Sequence, residues 1–174
     1  MHILRLFFFS FLTLFIVIWG ISLLVPSHVR ISKAINVKSP EDRVWKYVDD
    51  MKTWKSWNPF FENTPTESMI FNDSGDHAGM QVKETTIKWL SKNAGERKIA
   101  IEREGRNPIY HGWKCMQIPG SDSTTIQWYL DFDLKWYPWE KFGSLLFERS
   151  YGPKMERGLI NLKKMVEANR TSYN

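Results

Sequence analysis

The residues best suited to carrying protons are four histidines: His2, His28, His77 and His111. None stands at a metal-ligand spacing such as HExxH. The lone cysteine, Cys115, excludes an intrachain disulfide and a thiolate cage, so no metal or cofactor is expected. Cys115 falls in a strand-like run and reads as a buried, inert thiol. His111, beside Tyr110, would act as an acid or base if it faced a cavity. A hydrogen-bonded structural histidine is its ordinary role. Glu84 is a third candidate for acid/base help. Glu102 with Glu104, and Asp131 with Asp133, are two apart and therefore share a sheet face. Such pairs can divide acid and base work. Asp131 and Asp133, however, alternate with Leu130, Phe132 and Leu134, which turns the carboxylates towards solvent. There is no G-x-S-x-G nucleophile elbow and no phosphate-cradling glycine loop. No catalytic set stands out.

The aromatic residues say more. They make up 15% of the 174 residues and include nine tryptophans. Trp54, Trp57, Phe60 and Phe61 crowd one stretch; Trp136, Tyr137, Trp139 and Phe142 crowd another. Any single ring is more often core than ligand contact, but each buries roughly 150–250 Å².

The element that must organise these residues is a long helix from Pro153 to Ala168. Met155, Leu159, Leu162 and Val166 recur at helical spacing, and Pro153 suits a first helical position. Gly158, inside it, marks close packing or space for a ligand. Upstream, alternation from Val29 to Val37 gives a strand, and Ser39-Pro40-Glu41-Asp42 opens a helix with Ser39 as its cap. Trp54 and Trp57 share a short helical turn that Asn58-Pro59 ends. Strands follow over 68–71, 80–90 with a bulge near Thr85-Thr86, 97–104, 109–118 and 125–136. Turns at Asn72–Gly75, Asn93–Gly95 and Pro119–Asp122 separate them. Pro138 opens a short helix whose apolar side is Trp139, Phe142, Leu145 and Leu146. Consecutive hairpins before one long helix imply an antiparallel sheet curled around that helix.

Leu6 to Val25 carries no charge over 20 residues. As a helix it spans about 30 Å, the thickness of a bilayer's hydrocarbon core. It is longer than a signal-peptide core and lacks a fitting cleavage site, so an uncleaved single-pass anchor is expected over residues 1–26, with a soluble domain over 27–174. The flanking charges leave the membrane side of that domain open. The net charge of +5 is spread among acids with no basic stripe, so nucleic acid is not an expected partner.

The opening strand leading into Ser39-Pro40-Glu41-Asp42-Arg43-Val44-Trp45, the run Trp54-Lys55-Ser56-Trp57-Asn58-Pro59-Phe60, the strand end Asp131-Phe132-Asp133-Leu134 and the run Tyr151–Lys163 together resemble the START-like superfamily. Within it, the resemblance is to the polyketide cyclase/dehydrase and lipid-transport (SRPBCC) group, over about residues 29–168. It implies an α+β helix-grip fold of about six to seven strands, with an apolar cavity between sheet and C-terminal helix. It also implies a bacterial inner-membrane setting, since members with an N-terminal membrane helix are familiar.

On that fold the cavity-lining candidates are Trp54, Trp57 and Phe60 before the sheet; Trp113, Trp128, Leu130 and Phe132 on it; and Met155, Gly158, Leu159 and Leu162 on the helix. The expected partners are a hydrophobic small molecule or lipid, and the membrane. Three functions follow: binding of such a ligand without catalysis, a cyclase/dehydratase-like enzyme using His111, Tyr110 or Glu84, or a protein-interaction module whose cavity has closed.

Overall fold

The structure, a computed structural model, describes residues 2–72, 78–117 and 119–168. The expected turn beyond Asn72, His77 and the strand end at Ile118 lie outside the described residues.

The chain runs α1 (His2–Leu24), β1 (His28–Val37), α2 (Glu41–Asp49), α3 (Trp54–Trp57), β2 (Met69–Asn72), β3 (Gly79–Val82), β4 (Thr85–Asn93), β5 (Glu96–Arg103), β6 (Ile109–Gln117), β7 (Thr124–Asp133), α4 (Pro138–Ser144) and α5 (Phe147–Ala168). The seven strands form one antiparallel sheet in the order β1-β7-β6-β5-β4-β3-β2. This is the α+β helix-grip architecture. Burying the apolar face of the sheet against α5 supplies its core: Ile31, Ile126, Trp128 and Leu130 from the strands meet Met155, Leu159, Leu162 and Val166 from α5. Lys33, the polar exception on the inward face that it shares with Val29, Ile31, Ile35 and Val37, bridges Glu148 and Glu156 of α5 at 2.7 and 2.9 Å.

Four local expectations are corrected. The terminal helix begins at Phe147, so Pro153 lies inside it. Phe147 packs 4.5 Å from Phe132 and against Tyr151, and this tertiary contact outweighs the backbone bond a proline removes. The phase change near Thr85 is a hairpin turn rather than a bulge. Lys83 takes a positive φ of 52° there, and the true irregularity lies between Trp89 and Ser91. Ser39 does not cap α2: Pro40 holds the cap position without a side-chain bond, and the Ser39 hydroxyl is buried. Of the apolar side expected for α4, Trp139, Leu145 and Leu146 face outward while Phe142 is half-buried, as described below.

Strand register decides which loops meet. His28 pairs with Asp133, Phe132 with Ile109, Ile109 with Ile101, and Arg103 with Thr85. The end of α1, the β5–β6 turn, the β3–β4 turn and the exit from β7 therefore share one end of the sheet. The Ser27 carbonyl accepts from the Leu134 amide at 2.7 Å, fixing the α1–β1 linker to that end.

Candidate functional site

A cavity of about 330 Å³ opens at that same end, between the sheet and the start of α5. Ile87, Ile101 and Ile109 supply its sheet wall, Phe60 and Phe61 a second wall, and Tyr151 of α5 a third. Its polar members are Thr64, Thr85, Asn107, His111, Arg103 and Arg106. A neighbouring hollow of about 440 Å³ shares Arg106, Asn107, Ile109 and Tyr151 with it and runs on to Phe132, Phe147, Trp139 and Gly143. Both volumes fall within the range of small-molecule pockets, at its lower end.

Beyond the cavity the interior is filled by indoles. Trp113 and Trp128 stack at 5.6 Å, Trp57 meets both edge-on at 6.3 and 5.9 Å, and Trp54 lies 5.5 Å from Trp113. The Trp54 Nε1 donates to the Val48 carbonyl at 2.9 Å. Gly158 is where α5 seats on this cluster, since a Cβ there would stand 2.8 Å from Trp128 and 2.9 Å from Pro59. The absent side chain admits an indole. Gly112 serves the outer face in the same way, because a Cβ would overlap the Tyr129 ring.

Phe60 and His111 thus border the main cavity, and Phe132 borders the adjoining hollow. Trp54, Trp57, Trp113, Trp128, Leu130, Met155, Leu159 and Leu162 are fully buried core. Tyr110 alternates with His111 along β6 and so occupies the other face. Glu84 is exposed in the β3–β4 turn. The paired carboxylates are engaged on the outer face: Asp131 takes a two-pronged bond from Arg30 at 2.6 and 2.7 Å, Asp133 meets His28 at 2.9 Å, and Glu102 meets Lys88 at 2.7 Å.

The electrostatics of the cavity centre on His111. Burial pushes its pKa down to about 3, so the imidazole is neutral near pH 7. It touches the rings of Phe60, Trp128 and Trp113 at 5.8 to 6.3 Å. Its Nδ1 is buried with no hydrogen-bond partner among the described residues. Buried polar atoms are normally paired, so this nitrogen is an unsatisfied acceptor or donor packed among the aromatic rings beside the cavity. At the mouth, Arg103 donates to the Thr85 hydroxyl at 3.2 Å. Among the described residues neither Arg103 nor Arg106 forms an ion pair with a carboxylate, and the cavity wall carries no acidic side chain. Cys115 is buried elsewhere, its thiol pushed up to about 12 by burial.

Sequence reasoning passed over Arg103, Arg106, Ile87, Ile109 and Tyr151. One signal was available: Arg103 continues the inward phase of Ile99 and Ile101 on β5, and a cation in that phase marks a place where the sheet face ceases to be core.

With this geometry in hand, comparison with known proteins is informative. A family model described as polyketide cyclase / dehydrase and lipid transport matches residues 28–167. The chain belongs to that family. Its START-like fold recurs in solved structures of low identity. The Zhui aromatase/cyclase from Streptomyces sp. R1128 is 14% identical, with a TM-score of 0.56 over 80% of this chain and 94% of that one. Norcoclaurine synthase from Thalictrum flavum, solved with dopamine and hydroxybenzaldehyde, is 15% identical, with a TM-score of 0.59 over 85% and 91%. The di-domain ARO/CYC StfQ of the steffimycin biosynthetic pathway is 9% identical, with a TM-score of 0.63 over 83% of this chain and 52% of that one. No curated protein matches the chain.

Proposed function

We propose that this family member is a membrane-anchored domain that binds a hydrophobic small molecule or lipid in the cavity between sheet and α5, without catalysing its conversion. The observation that carries this is the cavity wall: isoleucines and aromatic rings inside, two arginines at the mouth that pair with no carboxylate among the described residues, and the neutral His111 on the floor. That arrangement suits an amphiphile with an apolar body, an anionic end near Arg103 and Arg106, and a polar atom that reaches His111. The anchor reading rests on α1, 23 residues of mean hydropathy 2.4 with almost every side chain exposed.

An enzymatic reading has one specific observation in its favour, the buried His111 at the cavity. Its pKa weighs against it. A general base works best with a pKa near the operating pH, and a group at about 3 is a poor proton acceptor under neutral conditions. As a neutral hydrogen-bonding group it is well suited to binding.

The test is photocrosslinking of the full chain in nanodiscs that contain a photoactivatable fatty acid. Adducts on Ile87, Ile101, Ile109 or Tyr151 are expected. Adducts confined to α1 would leave the cavity without a lipid ligand.

A further inference from the structure

On the reading that α1 is a membrane anchor, we propose that the α4 segment, residues 136–146, sits in the headgroup layer of the leaflet beside α1, so that the cavity opens onto the bilayer and loads sideways from it. Three independent observations converge on this segment.

The first is exposure. Beyond α1, eight large apolar side chains are exposed among the described residues, and half of them fall in this one stretch: Trp136 at 61%, Trp139 at 68%, Leu145 at 68% and Leu146 at 61%. The remainder, Ile70, Leu90, Met116 and Ile160, are scattered. A cluster of this kind marks an interaction surface, whereas single exposed residues do not.

The second is inverted polarity. A surface helix normally turns its apolar stripe inward. In α4 the buried residues are Lys141 and Ser144 and Phe142 is half-buried, while Trp139 points outward and Leu145 and Leu146 continue the apolar surface. Tyr137 stacks on Trp139 at 4.7 Å with the planes 7° apart, presenting a flat aromatic face. Trp and Tyr favour the membrane–water boundary.

The third is position. The Lys141 Nζ donates to the Val25 carbonyl at 2.6 Å, one residue beyond the end of α1. Only residues 25–27 separate α1 from β1, a reach of about 10 Å. Where α1 leaves the bilayer, α4 is already beside it. The larger hollow begins at Trp139 and Gly143, passes Ile109 and Tyr151, and joins the cavity that ends at His111. The bilayer is therefore the occupant that this surface fits, and the mouth arginines lie at the level of lipid phosphates.

The test uses the full chain with Cys115→Ser, reconstituted in vesicles of phosphatidylcholine with a minority of phosphatidylglycerol. An environment-sensitive label is placed at Leu146→Cys, at Phe11→Cys within α1, or at Met116→Cys at the far end of the sheet. Quenching by lipid-borne nitroxides is expected at 146 and 11 but not at 116. Quenching at 11 with none at 146 overturns the proposal and leaves the anchor reading intact. Quenching at neither site sinks the anchor reading and the proposal with it. A label at 146 shielded from water yet not quenched by lipid means that a protein covers the patch, which also overturns it. A second measurement uses Trp136→Ser/Leu145→Ser/Leu146→Ser, whose side chains are exposed and line neither hollow. Uptake of a fluorescent fatty acid from vesicles should slow several-fold with the melting temperature unchanged. Unchanged uptake would overturn lateral loading.

Discussion

Lys141 is buried, 5% exposed, and its ammonium lies 2.6 Å from the carbonyl oxygen of Val25. The last carbonyls of a helix lack intrahelical partners and favour a cation. Lys141 meets both needs, so α4 acts as the end cap of α1, and the domain is clasped to its leading helix at a fixed angle. Leu134, bonded to Ser27, adds a second staple.

Lys141→Met should break that clasp while keeping most of the side chain's volume. Loss of one charge-assisted hydrogen bond is worth about 1.5–3 kcal/mol. Limited proteolysis of the reconstituted chain should then cut at residues 25–27 at least several-fold faster. An unchanged rate would mean that the linker is held without Lys141.

Gly158→Ala separates packing from helix propensity. Alanine favours a helix interior by about 1 kcal/mol. Here its methyl would press on Trp128 and Pro59 at 2.8 and 2.9 Å, and overpacking costs about 1–3 kcal/mol. Net destabilisation is expected in chemical denaturation. A more stable variant would show that the indole cluster has slack.

Much of this was legible beforehand, and the limits have physical causes. Alternation along β7, from Trp128 to Leu134, gave the inward face directly because the apolar residues recur there with the strand's period of two. The stripe Met155, Leu159, Leu162 and Val166 gave the α5 face in the same way. The start of α5 was missed because Phe147 joins the helix through Phe132, which is distant in sequence. In the sequence the four tryptophans look like cavity lining, because ring size alone does not distinguish a ring that borders space from one that fills it. The structure packs them against one another. The cavity lies one layer nearer to α1, where Ile101 gives way to Arg103. The outward face of α4 was hidden for a related reason: periodicity finds a stripe but not what covers it.

Acid should reveal His111. Its folded pKa is depressed, so between pH 6.5 and about 3 the unfolded chain binds a proton that the folded chain refuses. Stability then falls as pH drops through that window, by about 1.4 kcal/mol per pH unit. His111→Gln cannot titrate. The stability of the natural chain relative to this variant should therefore decline steadily in denaturation curves from about pH 6 to about pH 4. A constant difference would mean that His111 is hydrated or paired.

The mouth arginines should select charge. In Arg103→Gln/Arg106→Gln, affinity for a fatty acid should drop about tenfold, or about 1.4 kcal/mol. Affinity for the matching fatty alcohol should hardly change. Equal losses for both would assign the arginines a structural role instead.

Native mass spectrometry of the full chain released from nanodiscs of a total lipid extract examines the cavity itself. It should be run beside Ile101→Trp, which fills the hollow with an indole. A single apolar species retained by the natural chain and absent from the variant is the expected result. Bare chains in both samples, or the same lipids on both, would contradict a ligand held between the sheet and α5.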